Sequence, residues 1–172
     1  MGVRRWRRSP TPNPSPLGRG VAPLVYKSKA APMRSLDDIR DEYLFLEGDE
    51  RYRLLIELGR ELEAMPDALK TDATRVAGCS ASVWAYPVAR EDGTLHFLAD
   101  SNAAITKGIV ALVLAAVQDR PAAEVAALDI AALLEPFDLK NQLSSNRTQG
   151  VPNMISLIKE HAARIANSRP SA

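Results

Sequence analysis

Thiols and imidazoles are scarce in this chain. Cys79 is the only cysteine among 172 residues, and His96 and His161 are the only histidines. One cysteine excludes an internal disulfide and, with so few imidazoles, a closed zinc site built on soft ligands. It also suits a cluster scaffold poorly, since one thiolate cannot supply the usual several ligands. No metal site is expected. Long hydrophobic runs are missing too. The most apolar stretch, IVALVLAAV (109–117), covers nine residues, far short of the ~20 that span a bilayer as a helix. No glycine-rich phosphate loop follows a strand, and no His-x-x-x-His or aspartate-rich signature occurs. An unpaired thiol points to the cytoplasm.

Acidic residues are absent from the first 33 positions, which carry seven basic residues and six of the twelve prolines. That segment begins like a twin-arginine or secretory leader, but no apolar stretch follows, which argues against export. A basic arm for nucleic acid is one reading. A disordered extension, too poor in apolar surface to fold, is the other. Met33 directly precedes the first helical pattern, so residues 1–33 are expected to be a gene-start artefact, with a single domain over 34–172. From residue 34 onward the chain has 15 basic and 21 acidic residues, a net of −6. This argues against binding to nucleic-acid backbones. No membrane partner is expected, and a monomer is.

The body reads as helices, a hairpin, then helices. Ser35 is a candidate N-cap for a helix carrying Leu36, Ile39, Tyr43 and Leu46 on one face. Asp49 is a candidate cap for a second, with Tyr52, Leu55, Ile56 and Leu62 on a face and Pro66 as its stop. SVWAYPVARE and TLHFLAD flank Asp92-Gly93, a two-residue hairpin signal. Closing that turn at Glu91 and Thr94 pairs Val88 with Phe97 and Tyr86 with Ala99. Trp84, Tyr86, Val88, Leu95 and Phe97 then share the core face. Pro87 cannot donate to a ladder, so its strand is expected at an edge or bulged. A helix apolar on nearly all sides follows, with Asp100, Ser101 or Asn102 as caps and Gly108 allowing close packing. Two short helical pieces, PAAEVAAL and IAALLE, and an amphipathic helix over 153–165 complete the chain. The order predicts an α+β fold, a small antiparallel sheet packed against helices.

Chemistry narrows to the thiol. Nucleophilic catalysis needs an imidazole within ~3 Å of the nucleophile. In the hairpin read above, His96 lies opposite Ala89, and an extended path at ~3.3 Å per residue puts it on the order of 30 Å from Cys79. His161 reads as a solvated helix residue. Carboxylate pairs such as Asp37-Asp38 and Glu61-Glu63 read as solvated faces. A hydrolase therefore lacks its base, and independent turnover is not expected. A lone cysteine is by default a small buried hydrophobe. Here Gly78 removes bulk before it, and Ser80, Ala81 and Ser82 add little after it. Such a loop admits another protein's reactive group, and Trp84 anchors the strand behind it. Without a resolving partner the thiol cannot complete a disulfide exchange in its own chain. It can receive a group and pass it on.

RVAGCSASVW, LHFLADSNAAITKGIVALVLA and LSSNRTQGV, in that order and spacing, resemble the SufE family of sulfur-acceptor proteins. The likeness covers roughly Leu36 to Ile165. It implies a fold shared with IscU-type scaffold proteins and a role in iron–sulfur cluster assembly. Cys79 would accept sulfane sulfur as a persulfide from a cysteine desulfurase of the Suf or Csd type. The protein would stimulate that enzyme and deliver sulfur to the Suf scaffold complex. It implies no cofactor of this chain's own, since pyridoxal phosphate (PLP) belongs to the desulfurase. By position, Arg147 matches the arginine of the loop before the last helix. It stabilises the Cys79 thiolate or persulfide, engages the desulfurase, or braces the loop through backbone carbonyls. Gly78 and Ser80 flank the acceptor. Asp100 and Ser101 match the turn into the central helix, as caps or partner contacts. Three positions, in two places, depart from the family pattern. Ser80 and Ser82 stand where glutamines are frequent, and Asn102 where an acid is common. A regulator of the desulfurase that carries no sulfur is the second reading.

Overall fold

The computed structural model describes residues 31–168. The basic proline-rich extension expected over 1–33 therefore lies outside the described residues except for its last three positions. Helix α1 spans Leu36–Phe45, and the Ser35 hydroxyl accepts from the Asp38 N–H at its start. Helix α2 spans Asp49–Glu61 and buries Leu54, Leu55, Leu58 and Gly59. Its N-cap is Gly48, not Asp49. Arg51 of α2 caps the end of α1, with Nε donating to the Leu46 carbonyl at 2.8 Å and its guanidinium 4.9 Å over the Tyr43 ring.

The sheet has three antiparallel strands in the order β1 (Val83–Ala89), β2 (Thr94–Ser101) and β3 (Arg120–Pro121). β1 is an edge, as Pro87 demands. Only its first residues are covered from outside, where Val76 N–H donates to the Val83 carbonyl and Ala85 N–H to the Thr74 carbonyl.

The hairpin register differs by one residue from the sequence expectation. Tyr86 pairs with Leu98 and Val88 with His96. Arg90 N–H donates to the Thr94 carbonyl, and Gly93 N–H donates to the Arg90 carbonyl. The connection is thus a three-residue loop, with Gly93 at φ +93°. That is a type I turn followed by a glycine bulge rather than a two-residue turn. Asp92 steadies it by accepting from the Thr94 N–H and hydroxyl. A one-residue slip inverts the relation of the two faces. Val83, Ala85, Leu95, Phe97 and Ala99 point into the main core. Trp84, Tyr86, Val88 and Leu98 instead form a second cluster, under Met65 and Leu69.

Helix α3 (Ala104–Val117) is buried along almost its whole length and packs on α2 and the sheet. β2 runs on to Ser101, so Ala103 rather than Asp100, Ser101 or Asn102 occupies the cap position. The short helices α4 (Ala122–Ala127), α5 (Ile130–Leu134), α6 (Leu139–Gln142) and α7 (Ser145–Thr148) wrap the core. The final helix, α8 (Val151–Ser168), starts and ends beyond its expected bounds. The result is an α+β fold.

The α2–α3 crossing is close because glycines meet there. A Cβ on Gly59 would come within 2.9 Å of the Gly108 nitrogen, and one on Gly108 would overlap the Leu55 carbonyl. Gly108→Ala must therefore push two helices apart. It is expected to lower stability by about 1–3 kcal/mol, measured by urea denaturation.

Candidate functional site

Cys79 lies in the loop between residue 76 and β1, a half-buried free thiol. Gly78 before it adopts φ +78°, and a side chain there would overlap the Asn153 amide. Asn153, on the first turn of α8, donates from Nδ2 to the Ala77 carbonyl at 2.9 Å. The Ser80 hydroxyl donates to the Asn146 carbonyl of α7. Ser82 N–H donates to Asn102 Oδ1 at 3.0 Å, and Asn102 N–H returns a bond to the Ser82 carbonyl at 3.2 Å. Polar contacts from α8, α7 and the end of β2 thus hold the loop on both sides of the cysteine.

Under those ties the sulfur packs on bare backbone. A Cβ on Gly150 would overlap Cys79 Sγ, so the residue before α8 has no room for a side chain. Beside the sulfur is a small cavity of about 20 Å³, bounded mainly by Val83, Ile109, Val110, Val151 and Met154. Burial pushes the Cys79 thiol above its ordinary pKa, and the Arg75 charge pulls the other way. A raised pKa means a seated sulfur that is mostly protonated and poorly nucleophilic at neutral pH.

The Fe-S metabolism associated domain model of the SufE family matches residues 37–162. The chain belongs to the SufE family. It is 38% identical over 134 residues to an uncharacterized SufE-like protein of Rhizobium etli, covering 76% of this chain and 90% of the relative. It is 36% identical over 136 residues to the sulfur acceptor protein CsdE of Escherichia coli, covering 79% and 84%. The fold is similar to the solution structure of a hypothetical protein from Thermus thermophilus, with a TM-score of 0.64 at 14% identity, covering 77% of this chain and 96% of that one. SufE-family membership makes the chain a sulfur-acceptor-type accessory protein of iron–sulfur metabolism, not a self-sufficient enzyme.

In this SufE-family chain the remaining sequence candidates fall around the loop in distinct ways. Arg147, on α7, is exposed and borders both the small cavity and a wider groove of about 700 Å³. Ser80, Asn102 and Asn146 also line that groove. Asp100 sits behind the loop, opposite Trp84. It takes Lys70 Nζ at 2.7 Å and Lys107 Nζ at 3.0 Å. Burial alone would raise its pKa, but those two lysines and the Ser101 N–H outweigh it and hold the carboxyl below its usual value. Asp100 is thus an ionic link between the segment before the loop and α3. Ser101 accepts from the Ala103 N–H.

Neither imidazole serves the thiol. His96 lies toward the turn end of the hairpin, with Nε2 2.7 Å from Glu63 and Nδ1 2.8 Å from Asp119. It borders a separate cavity of about 470 Å³ under Met33 and Arg34. His161 is half-buried rather than solvated, and burial lowers its pKa. It stands roughly 15 Å along α8 from the end that meets Cys79, at ~1.5 Å per residue. Among the described residues no cluster of His, Cys, Asp and Glu could hold a metal ion, and no helix is long and apolar enough to cross a membrane.

Sequence reasoning missed Gly150, Asn146, Asn153 and Arg75 as parts of this site. Gly150, Asn146 and Arg75 each stood inside a motif singled out above, but nothing local shows that Gly150, Asn146 and Asn153 reach a sulfur so far back along the chain, or that Arg75 turns toward its loop.

Two measurements check the geometry. Gly150→Ala is expected to drive Cys79 Sγ out of its seat and speed its alkylation by iodoacetamide several-fold; an unchanged rate would contradict the contact. Asp100→Asn is expected to cost about 1 kcal/mol of stability at neutral pH. A carboxyl held below its unfolded pKa stabilises above that value, and the benefit disappears as pH falls through the folded one. The difference between wild type and Asp100→Asn should accordingly persist down to about pH 4 and fade only below it, as the lowered folded-state value is passed, read by denaturant midpoints across pH.

Proposed function

We propose that Cys79 is a sulfur acceptor and carrier serving a cysteine desulfurase in the cytoplasm. The observation that carries this reading is a lone thiol seated in an apolar niche by a few polar ties, with no imidazole near it. A thiol used for hydrolysis needs a base beside it. A carrier needs only to be delivered to a partner that presents the sulfur. When the ties from Asn153, Asn146 and Asn102 release, the loop turns outward and burial no longer suppresses the thiolate.

The exchange needs no external oxidant. The Cys79 thiolate attacks the outer sulfur of the donor's persulfide, and a new S–S bond forms as the donor's S–S bond breaks. The donor cysteine leaves as a thiolate, and the proton stays on the transferred sulfur until the persulfide ionises. Clearing the donor cysteine in this way stimulates the desulfurase. The cavity beside Cys79 supports a storage role, because a site of that size holds about one small atom. The loop can then reseat with the extra sulfur shielded from oxidants. Delivery to a Suf-type scaffold complex repeats the same exchange with Cys79 as donor.

The test is intact-mass analysis after incubation with cysteine and a PLP-loaded Suf- or Csd-type desulfurase. Wild type is expected to gain one sulfur, lost on adding a reductant. Cys79→Ser is expected to gain none and to lose stimulation while keeping its fold. Full stimulation by Cys79→Ser would overturn the carrier and leave a regulator that holds no sulfur.

A further inference from the structure

Resting on the reading of Cys79 as acceptor, we propose that Arg75 is the positioning residue that supplies positive charge to the Cys79 anion, both as attacking thiolate and as product persulfide. Arg75 is not inside the loop that carries the cysteine. It is paired with Trp84 in an isolated antiparallel bridge, and the backbone bonds Val76–Val83 and Thr74–Ala85 flank that pairing. These bonds close the base of the loop, so residues 77–82 can swing while Arg75 stays in register with β1.

The side chain is turned toward the loop. Arg75 Nη2 donates to Ser82 Oγ at 3.3 Å, on the limb of the loop that follows the cysteine. The residue is exposed, and among the described residues it makes no ion pair with a carboxylate. No described carboxylate therefore neutralises its charge. Already in the seated state it is the positive group acting on Cys79, opposing the effect of burial. Once the loop opens, burial ceases to act on the sulfur and the arginine remains. An always-charged guanidinium suits this task, because it does not titrate in the range where the thiol does.

Arg147 differs in where it is held. It borders the cavity under Cys79 from α7, and the Ser80–Asn146 tie that links its helix to the loop is one that opening breaks. Arg147 thus borders the cavity at the sulfur from a separable element, and Arg75 reaches the loop from an anchored one.

The experiment is the pH profile of Cys79 alkylation by iodoacetamide in wild type, Arg75→Gln and Arg75→Lys, each checked for fold by circular dichroism. In Arg75→Gln the midpoint of the profile is expected to move to higher pH, with alkylation roughly threefold slower at neutral pH in low salt. Arg75→Lys should retain most of the wild-type rate. High salt should slow wild type toward Arg75→Gln, because an exposed charge is screened. A profile unmoved in Arg75→Gln, or a lysine variant as slow as the glutamine one, overturns the assignment. Should Arg75→Gln not fold, a wild-type rate insensitive to salt overturns it equally. Neither desulfurase nor persulfide enters this measurement. An unmoved profile therefore sinks the Arg75 assignment alone, and failure of Cys79 to gain sulfur sinks only the carrier reading.

Discussion

The contact between Cys79 Sγ and the side-chain-free backbone of Gly150 is the constraint on which the site depends. It brings the start of the last helix against a loop from the first half of the chain. Every other feature of the site serves or follows from that closure. Gly78 takes a backbone conformation that lets the loop pass Asn153. Asn153 and Asn146 supply the polar ties that the loop backbone needs once it is drawn against the protein. A sulfur packed this closely is shielded, and the same packing makes it a poor nucleophile.

Two opposing requirements are met by separating them in space. Burial acts through the niche under the loop, which is apolar and formed by β1, α3 and α8. Charge acts from the base of the loop, where the 74–76 segment pairs with β1. The ties between niche and loop are a handful of hydrogen bonds, each worth ~0.5–1.5 kcal/mol net. The bonds at the base belong to a strand pairing. A partner that competes for the first set can free the sulfur without disturbing the second. Asp100, held between Lys70 and Lys107, keeps the β2–α3 junction in place behind Asn102.

The interior is arranged around the same loop. Beyond its first turn α3 is almost wholly apolar because it is covered on nearly all sides, and two glycines let α2 approach it closely. This leaves the N-terminal end of α3, with Thr106, beside the cavity at Cys79. The sheet is small, and its edge strand is shielded where it adjoins the loop and interrupted by Pro87 where it is not.

The amino-acid sequence alone determined the order and type of most elements, because helical and strand periodicities are local. It also determined the lone thiol in a small-residue loop and, through three ordered motifs, the family. Only the tertiary structure decided the hairpin register. Asp92-Gly93 is compatible with both a two-residue turn and a bulged three-residue one. Both faces of β1 carry apolar residues, so alternation could not choose between them. The surroundings of Cys79 were likewise a tertiary matter. Gly150, Asn146 and Asn153 lie some seventy positions beyond the thiol, and only the packing of α8 against β1 brings them to it. Arg75, although four residues away, gains its meaning from a bridge to Trp84, which exists only once the segment before the loop has folded back onto β1.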